Sequence, residues 1–428
     1  MRDHAPKTIF AWCLYDWANS AFTTIVVTFV YATYFTKAIA PDPATGTLLW
    51  SRAIGLSGIL VALLSPVLGG LADRHGRRKR GLLAATLLCV AATAALTFVR
   101  PDQPLAIPLA LAIFVVANVA YELGIVFYNA FLPDLAPPGK IGAISGYGWG
   151  LGYAGGIACM AIALYGLVCE QPLFGIATAR GFNIRATNLL VAGWFLLFSL
   201  PLLACLREQP PPRQAGPACS TIARCRQTWR DLRAYRETLK FLLARLLYND
   251  GLVTVFAFGG IYAAGTFGMT MREVMLFGIV INIAAGLGAL AFGYLDDAVG
   301  GKRTIQISNV ALGLATLLAV FAPDKAWFWA AAVLIGIFVG PNQSASRSLM
   351  GRFVPPRHQA EFYGFFSFSG KISSFAGPLL LGTVTAATQS QRAGVATILL
   401  FLVAGGLLLQ TVDEKQGIAA AAMPPTPD

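Results

Sequence analysis

Apolar runs of roughly 20 residues recur along the chain, broken by short polar stretches. A helix rises ~1.5 Å per residue, so each run is long enough to cross a hydrocarbon core of ~30 Å. Twelve runs qualify: about 9–36, 50–72, 81–99, 105–131, 141–168, 187–206, 239–264, 273–294, 304–322, 327–350, 361–386 and 393–412. Strand-period alternation is absent, so the spans are helices and not barrel strands. A polar stretch follows the sixth run and opens on Pro210-Pro211-Pro212, which no helix interior tolerates. It divides the chain into an N-terminal half, 1–206, a linker, 207–238, and a C-terminal half, 239–412. Residues 413–428 form an Ala- and Pro-rich tail, expected to be disordered.

The polar positions inside these runs are few and patterned. In the first, Asp16, Asn19, Ser20 and Thr23 fall at i, i+3, i+4 and i+7, on one helical face. An ionised Asp in a spanning helix costs ~2.5–3.5 kcal/mol on insertion scales, so it needs a partner, a proton or a water-filled cavity. Span four carries Asn118, Glu122 and Asn129 on one face, with Tyr121 and Tyr128 beside it. Span seven carries Arg245 and Asp250. Span ten carries Asn342, Gln343, Ser346 and Arg347, and span eleven Ser367, Lys371 and Ser374. Spans three, six, nine and twelve have no charged residue in their interiors. This three-helix period places the first helix of each triplet against a wet interior and the third against lipid. The expected solute and ion cavity is Asp16, Asn19, Asn118, Tyr121, Glu122, Asp250, Asn342, Gln343, Arg347 and Lys371, with Asp16 and Asp250 facing each other across it. Glu122, deep in span four, is the candidate coupling-proton site, with Asp16 and Asp250 as rivals nearer the cytoplasmic water. The structural alternative is a permanent pair with Arg347 or Lys371. Arg245 is shallow enough to snorkel to the membrane surface. Gly148, Gly152 and Gly156 form a ridge that permits close helix approach, and Gly377-Pro378 should kink span eleven.

Composition agrees: 56% of the 428 residues are hydrophobic and 12% charged, against ~25% charged in soluble domains. The net charge of +12 suggests nucleic acid only until the basic residues are placed. Of 32 Lys and Arg, 21 fall on the side of the N-terminus, among them Arg74, Arg77, Arg78, Lys79, Arg80 and the linker arginines; eight fall on the other. The positive-inside rule then puts both termini in the cytoplasm, in a cell (inner) membrane protein. Within the linker, Ile222, Cys225, Trp229, Leu232 and Leu239 recur at helical spacing among arginines, which reads as an amphipathic helix on anionic lipid. The seven cysteines and His4, His75 and His358 form no metal-ligand spacing. The first run is too long, and carries Asp16, for a cleaved signal peptide. Gly364 to Lys371 is superficially similar to a P-loop, but has five residues between its glycines where four are needed, and Ile372 stands at the Ser/Thr position. No cofactor, metal or enzyme constellation emerges.

The halves also repeat. Pro137-Pro138 matches Pro355-Pro356, and at the same offset Gly146 meets Gly364 and Gly152 meets Gly370. Gly70 and Asp73 match Gly293 and Asp296, and Tyr15-Asp16 has an echo in Tyr248-Asn249-Asp250. The expected fold is therefore an all-α membrane protein: twelve transmembrane helices in two six-helix bundles, related by a pseudo-two-fold axis along the membrane normal.

One motif carries a resemblance. Gly69-Gly70-Leu71-Ala72-Asp73-Arg74-His75-Gly76-Arg77-Arg78-Lys79 is similar to the signature loop of the major facilitator superfamily. The second copy, Gly293 to Arg303, is degenerate. Tyr15 to Phe22, Phe241 to Gly251, Gly340 to Ser348, Glu361-Phe362-Tyr363-Gly364 and Gly370-Lys371 resemble the "unknown major facilitator" branch, related to vacuolar autophagy-linked amino-acid effluxers. The resemblance implies secondary transport of a small polar solute, with amino acids among the substrate classes, coupled to a proton or ion, by a monomer. It implies a conformational latch of Gly69, Asp73 and Arg77, with Asp134 as a further acid partner. A non-transporting receptor or scaffold and a lipid flippase are the alternatives on this fold.

Overall fold

Helix boundaries follow the capping chemistry written into the chain. In the computed structural model, which describes residues 6–169, 172, 175–207, 235–356, 358–372 and 374–422, the helices are α1 (Pro6–Ile39), α2 (Pro43–His75), α3 (Arg78–Leu96), α4 (Ala106–Leu135), α5 (Ile141–Val168), α6 (Phe182–Cys205) and α7 (Arg236–Phe267). Then come α8 (Met271–Val299), α9 (Gly301–Phe321), α10 (Lys325–Phe353), α11 (Gln359–Lys371), α12 (Ala376–Thr388), α13 (Gln391–Gln410) and α14 (Glu414–Ala422). The Asp42 carboxylate accepts from Ala44 N and Thr45 N to start α2, and Asp324 does the same for α10 through Ala326 N and Trp327 N. Thr270 and Glu273 form a reciprocal capping box on α8. Gly76, at φ 63°, ends α2 in the left-handed conformation that a glycine adopts without strain.

Eleven of these helices are long and apolar enough to cross a membrane, among the described residues. The expected eleventh span is the exception. It is two shorter helices, α11 and α12, interrupted between Lys371 and Ala376. The interruption lies just before Gly377-Pro378, where a kink was expected. Pro378 is the third residue of α12, where a missing N–H costs nothing because the first-turn donors have no intrahelical partner. The expected disorder of 413–428 is corrected over Glu414–Ala422, which is a helix, held because the Glu414 carboxylate accepts from Gly301 N at 3.0 Å and Lys302 N at 3.1 Å; residues 423–428 lie outside the described residues. The amphipathic linker helix and its lipid contact fall largely on residues 208–234, outside the described residues.

Two broad contacts join the halves of the sequence: α2 along α11, and α5 along α8. Close backbone approach makes both possible. A Cβ at Gly364 would lie 2.5 Å from Ser65 O, and one at Gly146 would collide with Ala289 O. These are the glycines matched in the sequence repeat. The glycine ridge of α5 packs on α1, with Gly152 against Ser20 and Gly156 against Thr24. A further repeat is visible only in three dimensions. Arg185, opening α6, donates to Thr97 O just past the end of α3. Arg392, opening α13, donates to Val320 O and Ala322 O at the end of α9. Each guanidinium satisfies carbonyls that a helix end leaves free.

Candidate functional site

Between the halves lies a cavity of about 1400 Å³. Its lining runs from Lys37, Ser51 and Met275, near the ends of the spans away from the termini, down to Asp16, Asn129, Arg347 and Tyr363. No residue of α3, α6, α9 or α13 lines it, in keeping with the three-helix period of the charges. At the side of the termini the halves are joined by two charge clusters that do not line the cavity.

The cavity floor is built around Arg347. Its Nη1 donates to Asp16 Oδ2 at 2.8 Å, its Nε to Ser145 Oγ at 2.9 Å, and its Nη2 to Ser145 O at 2.6 Å. One guanidinium thus ties α10 to both α1 and α5, using the fork geometry an ammonium lacks. Its faces are covered by Trp12, Trp149 and Tyr128, with Cζ 4.8, 5.6 and 5.8 Å from the ring centroids. Trp12 and Tyr128 stack at 4.5 Å and exchange hydrogen bonds, each ring donor reaching the other residue's carbonyl.

A second pair crosses between the halves. Lys371 Nζ lies 2.6 Å from Glu122 Oε1, one of the two permanent pairs that the sequence leaves open for Glu122. The two pairs differ in exposure. The side chains of Arg347 and Asp16 are 5% and 11% exposed, those of Lys371 and Glu122 34% and 16%. The Lys371–Glu122 pair is the more exposed of the two in the cavity lining.

The remaining expected residues are placed as follows. Asn19 donates to Asp16 Oδ1 at 3.3 Å and accepts from Tyr121 OH at 3.4 Å. Asn118 donates to Ser57 Oγ, Asn342 to Asn309 Oδ1, and Gln343 accepts from Tyr153 OH across the halves. All of these line the cavity except Ser57 and Asn309. Asp250 does not. It is buried within the C-terminal half, its Oδ2 accepting from Gly377 N at 2.8 Å. It therefore does not face Asp16 across the cavity. Arg245 also departs from expectation. It turns inward, donating to Phe366 O at 2.6 Å and Ser369 Oγ at 2.9 Å, with its Cζ 3.6 Å from the Phe366 ring centroid, and lines the cavity. Sequence reasoning missed Ser145, Tyr153 and Trp149. Their signal is the presence of polar-capable residues in glycine-rich α5, where only the ridge of Gly148, Gly152 and Gly156 stands out in the sequence.

The first charge cluster corrects the latch by one residue. Arg78, not Arg77, is buried: its Nε lies 2.9 Å from Asp73 Oδ1 and its Nη1 3.2 Å from Asp134 Oδ2. Arg77 is exposed. Asp73 Oδ2 also accepts from Glu361 N at 2.9 Å, at the start of α11 in the other half, and Gly69 packs on the Ala360 carbonyl. The motif copy that looks degenerate in sequence makes the corresponding contact. Asp297 accepts from Gly142 N at 2.7 Å and Ala143 N at 2.8 Å, at the start of α5. Arg352 braces it, 2.6 Å from Asp296, 3.3 Å from Asp297 and 3.7 Å from Glu414.

The family described as "Vacuole effluxer Atg22 like" matches residues 47–142 and 136–422. The chain belongs to this Atg22-like vacuole effluxer family. It is 28% identical over 409 residues to the "Uncharacterized MFS-type transporter YxiO" of Bacillus subtilis (strain 168), covering 95% of this chain and 94% of that protein. It is 25% identical over 305 residues to "Autophagy-related protein 22-1" of Penicillium rubens, covering 65% of this chain and 50% of that protein, so it spans about half the length of the fungal relative. In fold it is similar to the E. coli fucose:proton symporter FucP, with TM-score 0.74, 14% identity and 95% and 98% of the two chains covered. It is also similar to the proton:xylose symporter XylE, at TM-score 0.72, 13% identity and 96% of each chain. A bacterial homologue of ferroportin in an outward-facing state aligns at TM-score 0.71 and 13% identity, over 96% of this chain and 99% of that one. The Atg22-like chain is an integral multi-pass membrane protein with the major facilitator fold.

Proposed function

We propose that the protein is a secondary active transporter, carrying a small polar solute by alternating access between two six-helix bundles. The eleventh span in this reading is the α11–α12 pair, which brings the spans to twelve, and the contacts of Asp73 with α11 and Asp297 with α5 support a pseudo-two-fold axis along the membrane normal. Charge placement supports a cell membrane location with cytoplasmic termini. The structure is then outward-open, since the clusters of Arg78 and Arg352 join the halves on the side of the termini.

The observation that carries the reading is the pairing of opposite charges from opposite halves inside an open cavity, Asp16 with Arg347 and Glu122 with Lys371. A solute with both a carboxylate and an ammonium group can take over either partner of Lys371–Glu122 without leaving the other unpaired. Amino acids fit this description. Such a solute binds the two halves together, so it makes different contacts in each state, which a ligand must do to shift the equilibrium. The cavity and its exposed ion pair speak against a non-transporting receptor, and the charged floor against a lipid flippase.

The test is uptake into proteoliposomes from a panel of amino acids, with and without an imposed pH gradient. Accumulation of at least one of them supports the reading. No uptake, exchange or binding across the panel removes the substrate class.

A further inference from the structure

The break in the eleventh span has a chemical counterpart in α7. Asp250 is 1% exposed. Its Oδ2 accepts from Gly377 N at 2.8 Å, in the first turn of α12, while its Oδ1 is buried without a hydrogen-bond partner among the described residues. Asp250 takes part in no ion pair among the described residues.

The groups around it are otherwise engaged. On α7, Arg245 donates to Phe366 O and Ser369, Tyr248 shares a hydrogen bond with Ser346, Tyr262 donates to Ala319 O, and Glu237 holds Lys240. On α10, Arg347 holds Asp16 and Arg352 holds Asp296. On α11, Lys371 holds Glu122, Glu361 holds His358, and Tyr363 donates to Arg347 O. On α8, Glu273 pairs with Lys325, and Asp296 and Asp297 with Arg352. Arg392 on α13 donates to carbonyls, and Glu414 on α14 lies by Arg352. α12 has no titratable side chain. Next to Asp250, Gly251 faces Phe401 and Leu402. An ionised Asp250 therefore has one backbone N–H and the positive end of α12 to hold it, ~0.5 of an elementary charge, and nothing on Oδ1.

We propose that Asp250 is the proton-carrying residue of this transporter, taking a proton on Oδ1 at the break in the eleventh span, away from the solute cavity. The proposal rests on the transport reading above for its consequence, but not for its chemistry. Protonation removes the charge that Oδ1 cannot compensate. Oδ2 keeps the bond from Gly377 N–H in either form. What changes is the attraction between the carboxylate and the start of α12, so loading loosens the seating of α12 on α7. α12 begins five residues after Lys371, whose ammonium reaches Glu122 in the other half. Proton loading is thereby linked to the pair that a solute meets.

The deciding variant is Asp250→Asn, whose amide oxygen still accepts from Gly377 N–H. Infrared spectra of the solute-free protein across pH report the protonated carboxyl directly. The wild type is expected to show a buried carboxylic acid band that titrates and that is missing in D250N. In proteoliposomes, D250N is expected to keep solute exchange at the wild-type level while pH-driven accumulation falls at least tenfold. A band unchanged in D250N, or accumulation equal to wild type, overturns the proposal. Should D250N not fold, Asp250→Glu in protein with isotope-labelled aspartate carboxyls decides. Loss of the labelled, titrating acid band relative to wild type supports the site, and a labelled band unchanged in D250E overturns it. The infrared arm uses no solute, so a failed uptake panel sinks the transport reading without deciding this one.

Discussion

At the scale of single residues, burial separates the two inter-half pairs. Arg347 and Asp16 are nearly dry, so removing one charge leaves the other buried alone, which costs about 3–5 kcal/mol. Asp16→Asn should lower thermal stability in detergent by that amount, and the double variant D16N/R347Q should recover most of it. Equal losses in single and double variants would mean that the charges do not interact. Glu122→Gln should cost about 1 kcal/mol or less, because Lys371 remains partly solvated. Its effect belongs in transport. If E122Q instead unfolds the protein, the pair is structural. Gly148 tests the same floor sterically: a Cβ there would lie 2.6 Å from Asp16 Oδ2 and 2.7 Å from Arg347 Nη2. Gly148→Ala should cost 1–3 kcal/mol, about the usual overpacking range, in a melt; an unchanged melting temperature would contradict the placement of that pair. The sequence made Asp16, Glu122, Arg347 and Lys371 legible because a charge deep in an apolar run is conspicuous. It did not say which acid meets which base. That depends on how far each helix is rotated and inserted, which no local pattern encodes.

At the scale of elements, a shift of one residue decides the latch. Gly76 ends α2 in the left-handed conformation, Arg77 sits in the turn, and α3 starts at Arg78, which brings Arg78 onto Asp73. The motif marks the loop, but the turn selects the arginine. Arg78→Ala should therefore shift the balance between inward- and outward-open states by ~1–3 kcal/mol, and Arg77→Ala should not. Spin labels at Lys140→Cys and His358→Cys, in opposite halves at the side of the termini, would read this as a longer distance population in R78A only. The same shift in R77A would contradict the assignment. Glu414→Gln removes one acid from the Arg352 cluster and should shift the same distances less. The helical spans were legible because they are long and apolar. The interruption of the eleventh was half legible. Gly377-Pro378 marked a disturbance, while the bond from Gly377 N–H to Asp250 in another helix has no local signature.

At the scale of the whole molecule, the structure is one closed side and one open side. The halves meet through α2–α11 and α5–α8, with both charge clusters on the side of the termini, and the cavity lining reaches the other. The sequence foreshadowed this division through repeated glycines and through charges confined to certain spans. The repeat of Arg185 and Arg392 was hidden because it lies in helix-end contacts and not in a motif. In the proposed function, the exposed pair of opposite charges selects a solute carrying both. Competition against uptake of a transported amino acid, using its methyl ester and its deaminated acid at equal concentration, tests this most directly. The unmodified amino acid should compete, and each singly charged analogue should lose at least tenfold in apparent affinity. Equal competition by either analogue would contradict it.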